Sequence, residues 1–428
     1  SAGTTNYAGD PSRVLPAMDK ACLMCHPADD EFDTGKGYSD AATEQKLCYR
    51  CHKVDSIADA PDVESQISKD SSHPVGLYSD RHSEDEWTDP VASLGKSNRH
   101  SECIDCHDMD MLLQGQGTPL QGIWGVSVTN GVPDSTPTFT KVDEILFEYE
   151  LCFKCHSAYT TRPESMFYET TSSAAIDPQG DKAREFNPNN SSLHPIEGVG
   201  HNQSTVLDNQ LATAGLTTSS TIKCSDCHNA DETSDATGSA SNSSFEPKGT
   251  HGSTHTPLLR GNYKVDVTPW APTYDADNFE LCFLCHDETK LVLGSDTNFY
   301  DPGAGYSNLH RLHLKEIKDD AFYGYSWVAI CRNCHYDSHS NRQTNTSWWY
   351  GQTGSWQTSE DNAGNPSAGV KVRLVSFSPD LLPQGNRPKP RWIMRSDNNT
   401  RYCYVSCHGV GMSHNYTPVV GTDDSATF

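Results

Sequence analysis

The chain has 428 residues with 57 acidic against 32 basic side chains, a net charge of −25 at neutral pH. That balance argues against nucleic acid and anionic membrane surfaces as partners, and no run of about 18 apolar residues is present to span a bilayer. Hydrophobic residues make up 35%, and with 31 glycines the apolar share reaches only about 42%, short of the usual ~45–50%, so something besides side chains must supply apolar surface.

In chain order, the opening SAGTTNYAGD has neither the charged start nor the apolar stretch of a signal peptide, which is expected to have been removed from an exported protein. CLMCH follows (Cys22, Cys25, His26). DAATEQK reads as a short helix leading into CYRCH (Cys48, Cys51, His52), and CIDCH comes next (Cys103, Cys106, His107). GQGTPLQGIWGVSVTNGVPDSTPTFT reads as a surface loop. KVDEILFEYE reads as a helix running into CFKCH (Cys152, Cys155, His156), and CSDCH lies beyond it (Cys224, Cys227, His228). NADETSDATGSASNSSFEPKGT is a second surface loop. DADNFE opens a helix, with Asp275 or Asp277 as N-cap, before CFLCH (Cys282, Cys285, His286) and CRNCH (Cys331, Cys334, His335). VKVRLVSFS alternates as a strand does. Last, RYCYVSCH carries one residue more than the rest: Cys403, Cys407, His408.

C-x-x-C-H is the attachment signature of c-type haem. On one helical turn, residues i, i+3 and i+4 share a face, so two thiols add to the haem vinyl groups and the histidine beside them reaches the iron. Zinc sites need two C-x-x-C pairs per metal and no histidine after each, and a redox C-x-x-C occurs once, not seven times. With 19 histidines in 428 residues, chance places His after a given residue about 4% of the time. Cys403 and Cys407 are the two cysteines left of 16. A small backbone bulge makes them an eighth haem site; a short-loop disulfide is the alternative, and it leaves His408 as coincidence. The cofactor expectation is eight covalently attached c-type haems.

The motifs alternate between a type with an aromatic inside (CYRCH, CFKCH, CFLCH) and a type with Asp or Asn at the third position (CIDCH, CSDCH, CRNCH). Pairing them gives two-haem repeats at 48–140, 141–270 and 271–345, flanked by single-haem segments at 1–47 and 346–428. Repeats of this kind stack and share a core. The fold expected is mostly coil with short helices and few strands, elongated, and organised around a stacked haem chain. About 53 residues per haem are too few for independent globules, so haems share walls.

Eleven histidines lie outside the motifs: His73, His82, His100, His194, His201, His251, His255, His310, His313, His339 and His414. Eight suffice to close every iron, as an electron carrier does, whereas an enzyme leaves one open. The distal set expected from context is His73, His100, His194, His201, His251, His310, His313 and His339. His82 in DRHSE is an equal alternative to His100 in NRHSE, His255 stands close enough to replace His251, and His414 is a further alternative.

With HPVG, HPIEG, GHN and HGS around these histidines, the chain resembles the multihaem c-type cytochromes of metal-reducing microbes, and among them the extracellular kind that polymerises into filaments. The resemblance runs through the motifs; the text between them does not align, and the haem count and the C-x-x-x-C-H site depart from the better-known members. It implies bis-histidine haems in near contact, a head-to-tail homopolymer, an extracellular or cell-surface location, and electron exchange with other c-type cytochromes and acceptors such as metal oxides. Haem sites near both ends suit an open, heterologous assembly, with His73, His82 or His414 as a histidine donated across the joint. A monomeric periplasmic carrier is the second reading. A multihaem reductase is the third; no C-x-x-C-K motif supports it, and the protein is not expected to be an enzyme. Trp348, Trp349 and Trp356 suit either an interface or packing on a haem. Seven glycosylation sequons (Asn189, Asn190, Asn202, Asn242, Asn345, Asn398, Asn415) barely exceed the roughly five that chance provides.

Overall fold

The computed structural model describes residues 4–6, 14–16, 45, 48–49, 52–54, 61–75, 101–108, 120–133, 135–159, 181–190, 192–201, 203–211, 215–231, 249–263, 273–295, 297, 299, 305–316, 328–336, 338–341, 374, 382–383, 391–394 and 401–406. Within them the helices run for three to seven residues and the strands for two to six, and coil joins them. A chain this poor in aliphatic side chains cannot bury the faces of long elements.

The strands are β1 (Thr4–Asn6), β2 (Val14–Pro16), β3 (Ser71–Ser72), β4 (Gly125–Thr129), β5 (Thr138–Val142), β6 (Ser192–Leu193), β7 (Gly252–Ser253), β8 (Ser340–Asn341), β9 (Leu382–Pro383), β10 (Arg391–Met394) and β11 (Arg401–Ser406). Among the described residues these strands pair antiparallel, and an isolated bridge between Val75 and Ser101 is parallel. β1 pairs β2 and β4 pairs β5 as local hairpins, and β10–β11–β9 form a three-stranded sheet. The remaining two pairs join distant segments: β3 with β7, and β6 with β8.

Two expectations from sequence are corrected here. The stretch before the fourth motif is not all surface loop, because it holds the β4–β5 hairpin. Its register sets Val126 opposite Lys141 and Val128 opposite Phe139, and Val126 is fully buried. The alternation spans only five residues between Gly and Pro clusters, so the turn signals hid it. KVDEILFEYE is likewise not one helix. Lys141 and Val142 end β5, and the helix begins at Glu148. Glu150 determines that start by accepting the backbone N–H of Leu146 at 2.7 Å and of Phe147 at 2.9 Å, which are donors the first turn leaves without partners.

Further along, Asp275 is the cap of a 3-10 turn, Ala276–Phe279, that leads into the helix Glu280–Phe283. The segment VKVRLVSFS lies outside the described residues apart from Leu374, which is in a bend. Apolar packing is confined to small clusters. One holds Val126, Phe153, Ala183, Phe186 and Ile196, and another Phe279, Val328 and Ile330. Phe153 lies inside CFKCH and Ile330 directly precedes CRNCH, so the protein core is assembled on the motifs themselves.

Candidate functional site

Six of the motifs have the same turn. The backbone N–H of the histidine donates to the carbonyl of the first cysteine in His52 (2.9 Å), His107 (3.0 Å), His156 (2.9 Å), His228 (2.8 Å), His286 (3.0 Å) and His335 (2.9 Å). This i→i−4 bond is one turn of α-helix, and it puts both cysteines and the histidine on one side. The alternation of motif types acquires a physical reason. Asp105, Asp226 and Asn333 each reach back to the backbone N–H of the residue before the first cysteine, Glu102 (2.7 Å), Lys223 (2.7 Å) and Ile330 (2.8 Å). The acidic or amide residue at the third position is thus half of a capping box that closes a four-residue helix.

None of the eleven cysteines whose thiols are described is in a disulfide. They meet in a regular alternation. First cysteines contact first cysteines within each sequence repeat: Cys48 with Cys103, Cys152 with Cys224, and Cys282 with Cys331. Second cysteines face each other between repeats, where Cys106 senses the charge of Cys155 and Cys227 that of Cys285. Burial pushes Cys106 and Cys227 up to about 12, so they are neutral thiols rather than thiolates. The second to seventh motifs therefore adjoin one another in the order of the chain. Lys154 pins one junction: its buried ammonium donates to the Asp105 carbonyl at 2.6 Å and lies 4.2 Å above the Trp124 ring. At another, Glu148, Cys152 and Cys224 bring a carboxylate oxygen and two sulfurs within 4.8 Å of one another. Glu148 is held there by the N–H and hydroxyl of Ser225, both at 2.7 Å.

Each of four motif histidines faces a histidine from outside the motifs. Ring centres are 6.2 Å apart for His156 and His73, 6.1 Å for His107 and His251, 6.2 Å for His228 and His339, and 6.5 Å for His335 and His310. His286 senses His194 most strongly among its neighbouring imidazoles. Four of these five partnerships cross the repeats, His310 and His335 sharing one. His73 and His194 face motifs of the following repeat, and His251 and His339 face motifs of the preceding one.

The crossing is produced by the two distant strand pairs. In β3–β7, Ser72 lies opposite Gly252, and in β6–β8, Leu193 lies opposite Ser340. Continuing each register by one residue sets His73 opposite His251 and His194 opposite His339. The Nδ1 of His73 donates to the Thr250 carbonyl at 2.5 Å and that of His194 to the Ser338 carbonyl, the same relative position in both. A two-residue ladder is thus a clasp that presents two imidazoles in opposite directions. Lys69 supports the first clasp by pairing with Asp231.

Burial holds six of these rings neutral, the state in which imidazole binds a metal. It pushes His228, His251 and His286 down to about 4 and His310 to about 3, each with a further push from neighbouring imidazoles. His194 and His335 are lowered for the same reason.

The remaining expectations fall out differently. His201 faces none of the described motif histidines; its Nε2 is bonded to the Pro188 carbonyl at 2.7 Å. His313 lies in the π-turn Leu312–Glu316, donates Nδ1 to the Leu309 carbonyl at 2.7 Å and stacks on Phe299. His255 lies in a turn closed by its own carbonyl and the Leu259 N–H at 2.8 Å, and it is His251 that faces His107. Cys403 stands on β11 opposite Trp392, an extended setting unlike the helical turns of the other motifs. Asn190 is fully buried and its amide donates to the carbonyls of Arg184 and Glu185 at 2.9 and 2.8 Å, so that sequon is not a glycan acceptor. Cys22, Cys25, His26, Cys51, His82, His100, Cys407, His408, His414 and the tryptophans at 348, 349 and 356 lie outside the described residues.

The facing imidazoles can be tested against a shared metal. Two ring nitrogens each about 2.0 Å from one ion, on rings whose centres lie about 1.2 Å behind them, leave the centres roughly 6.4 Å apart. The four distances, 6.1 to 6.5 Å, fit that span. No helix among the described residues is long and apolar enough to cross a membrane. Comparison of the chain with family profiles, with curated proteins and with solved structures returns no match. The chain is a coil-dominated protein with repeated C-x-x-C turns and facing imidazoles, haem- or metal-ligating sites in keeping with electron transfer.

Proposed function

We propose that the chain is a multihaem c-type cytochrome that carries electrons and leaves no iron position open for substrate. The observation that carries this reading is the set of four imidazole pairs at 6.1 to 6.5 Å, each joining a C-x-x-C-H histidine to one outside the motifs. Haem bound at these turns supplies a one-electron iron couple.

The protein's own residues do the rest. Each cysteine pair would hold a haem covalently, and the helical turn brings the motif histidine to the same side. His73, His107, His156, His194, His228, His251, His286, His310, His335 and His339 would supply the imidazoles of five sites. The motifs of His26, His52 and His408 then fall to His100, His201 and His313, with His201 acting through Nδ1 because its Nε2 is engaged by Pro188. The thiol contacts support an unbroken path from the second motif to the seventh, in sequence order.

Eight haems, with Cys403, Cys407 and His408 as the eighth site, complete the cysteine count. Polymerisation into an extracellular filament, with other cytochromes and metal oxides as electron partners, follows from the family resemblance in the motifs. A monomeric periplasmic carrier is the second reading and needs the same sites.

The test is the mass of the denatured, exported protein together with its pyridine haemochrome spectrum. Eight haems per chain, low-spin in both oxidation states and inert to carbon monoxide, are expected. A chain without covalent haem overturns the reading, and rapid carbon monoxide binding to the reduced native protein replaces the carrier with an enzyme. Electron microscopy of the same material separates filament from monomer.

A further inference from the structure

The imidazoles differ in what their second nitrogen meets, and the difference grades how strongly each donates electrons to a metal. Nδ1 of His73, His194, His228 and His335 donates to the backbone carbonyls of Thr250, Ser338, Pro257 and Leu374. Among the described residues, the buried Nδ1 of His251, His286 and His310 meets no acceptor. His339 differs from both groups: its Nδ1 is 2.8 Å from Glu185 Oε2. Glu185 ends the helix Lys182–Glu185, is 1% exposed, and is held by the Lys182 ammonium at 2.9 and 2.8 Å.

A carboxylate bonded to the far N–H of a metal-bound imidazole pulls that proton toward itself and leaves the ring more anionic. A carbonyl does this weakly, and a nitrogen without an acceptor not at all. An electron-rich axial ligand favours the oxidised metal and lowers its potential. The buried negative charge acts in the same direction, and the Lys182 cation opposes it.

We propose that Glu185 is a positioning and tuning residue that gives the iron shared by His228 and His339 a lower potential than the sites of His286 with His194 and of His310 with His335. This rests on the bis-histidine haem reading. The lowered site belongs to the fifth of the eight motifs and the other two to the sixth and seventh, so an electron passing from the sixth motif to the fifth must climb there.

The test is spectroelectrochemical titration of the full haem-loaded protein, with haem count established first by mass. Glu185→Gln keeps the size and an acceptor for His339 but removes the charge, and one component of the titration is expected to move up. Lys182→Met leaves Glu185 unopposed, and the same component is expected to move down. The other components are expected to stay in place in both variants. A purely structural role for the Lys–Glu pair would move both variants in the same sense or spread the change over many components, and either result overturns the proposal. So does an unshifted titration of fully loaded Glu185→Gln. Absence of haem on the Cys224–Cys227 peptide of the parent protein would overturn this proposal and the reading beneath it together.

Discussion

The clasp between β3 and β7 makes a prediction that a single methyl group can test. Gly252 lies opposite Ser72 and next to His251. A Cβ built on it would sit 1.8 Å from the Gln66 carbonyl oxygen and 2.6 Å from the carbonyl carbon. Both are backbone atoms in the helix Val63–Ile67, so no side chain can swing aside. Restoring an ordinary contact of about 3.2 Å requires β7 to move away from that helix by more than about 1 Å, at an overpacking cost of about 1–3 kcal/mol or more. A shift of that size at residue 252 pulls His251 away from the 6.1 Å at which it faces His107. Gly252→Ala is therefore expected to convert one haem of the set to high spin, visible as a new low-field signal in electron paramagnetic resonance and as new carbon monoxide binding. Gly200→Ala is the control, since its Cβ would meet nothing nearer than 3.7 Å. If Gly252→Ala stays wholly low-spin with an unchanged unfolding midpoint, the clasp does not position His251 and the reasoning fails.

Three further outcomes are expected. Burial pushes the Glu197 carboxyl up to about 7, against the Asn130 amide that donates to it at 2.6 Å. A raised folded value means that its stabilising contribution is complete below the unfolded value of about 4.5 and is lost as pH rises through 7. Glu197→Gln should therefore unfold at higher urea than the parent at pH 8, by about 2–3 kcal/mol, and like the parent at pH 4, as followed by circular dichroism. Asp226→Ala removes the bond to the Lys223 N–H that closes the Cys224–Cys227 turn, at about 1 kcal/mol; peptide mass should find less haem attached at this motif than at Cys103–Cys106. Phe153 is 1% exposed and packs in the cluster with Val126 and Phe186, so Phe153→Ala should cost about 3–5 kcal/mol in thermal or urea unfolding.

Much of the local chemistry was legible in the sequence because it is local. A helical turn needs only neighbouring residues, so C-x-x-C-H spacing alone defines a face with two thiols and an imidazole, and the six described turns share one hydrogen bond. The split between aromatic and Asp/Asn motifs was also visible, although its cause, the reach of Asp105, Asp226 and Asn333 to the preceding backbone N–H, appears only in three dimensions. The β4–β5 hairpin was missed because five alternating residues between turn formers carry too short a period to stand out.

Composition and spacing by themselves determined the outline of this protein: an acidic chain poor in aliphatic residues, with a C-x-x-C-H or C-x-x-x-C-H motif about every 53 residues and eleven histidines outside the motifs. Only the tertiary structure decided which histidine faces which turn. Reading along the chain would assign His73 to its own repeat, yet it faces His156 in the next, and His339 reaches back to His228. The reason is that two-residue strands such as Ser71–Ser72 and Gly252–Ser253 carry almost no pattern of their own. Their pairing is decided by where the neighbouring turns and buried carbonyls hold them, and that is a property of the whole fold.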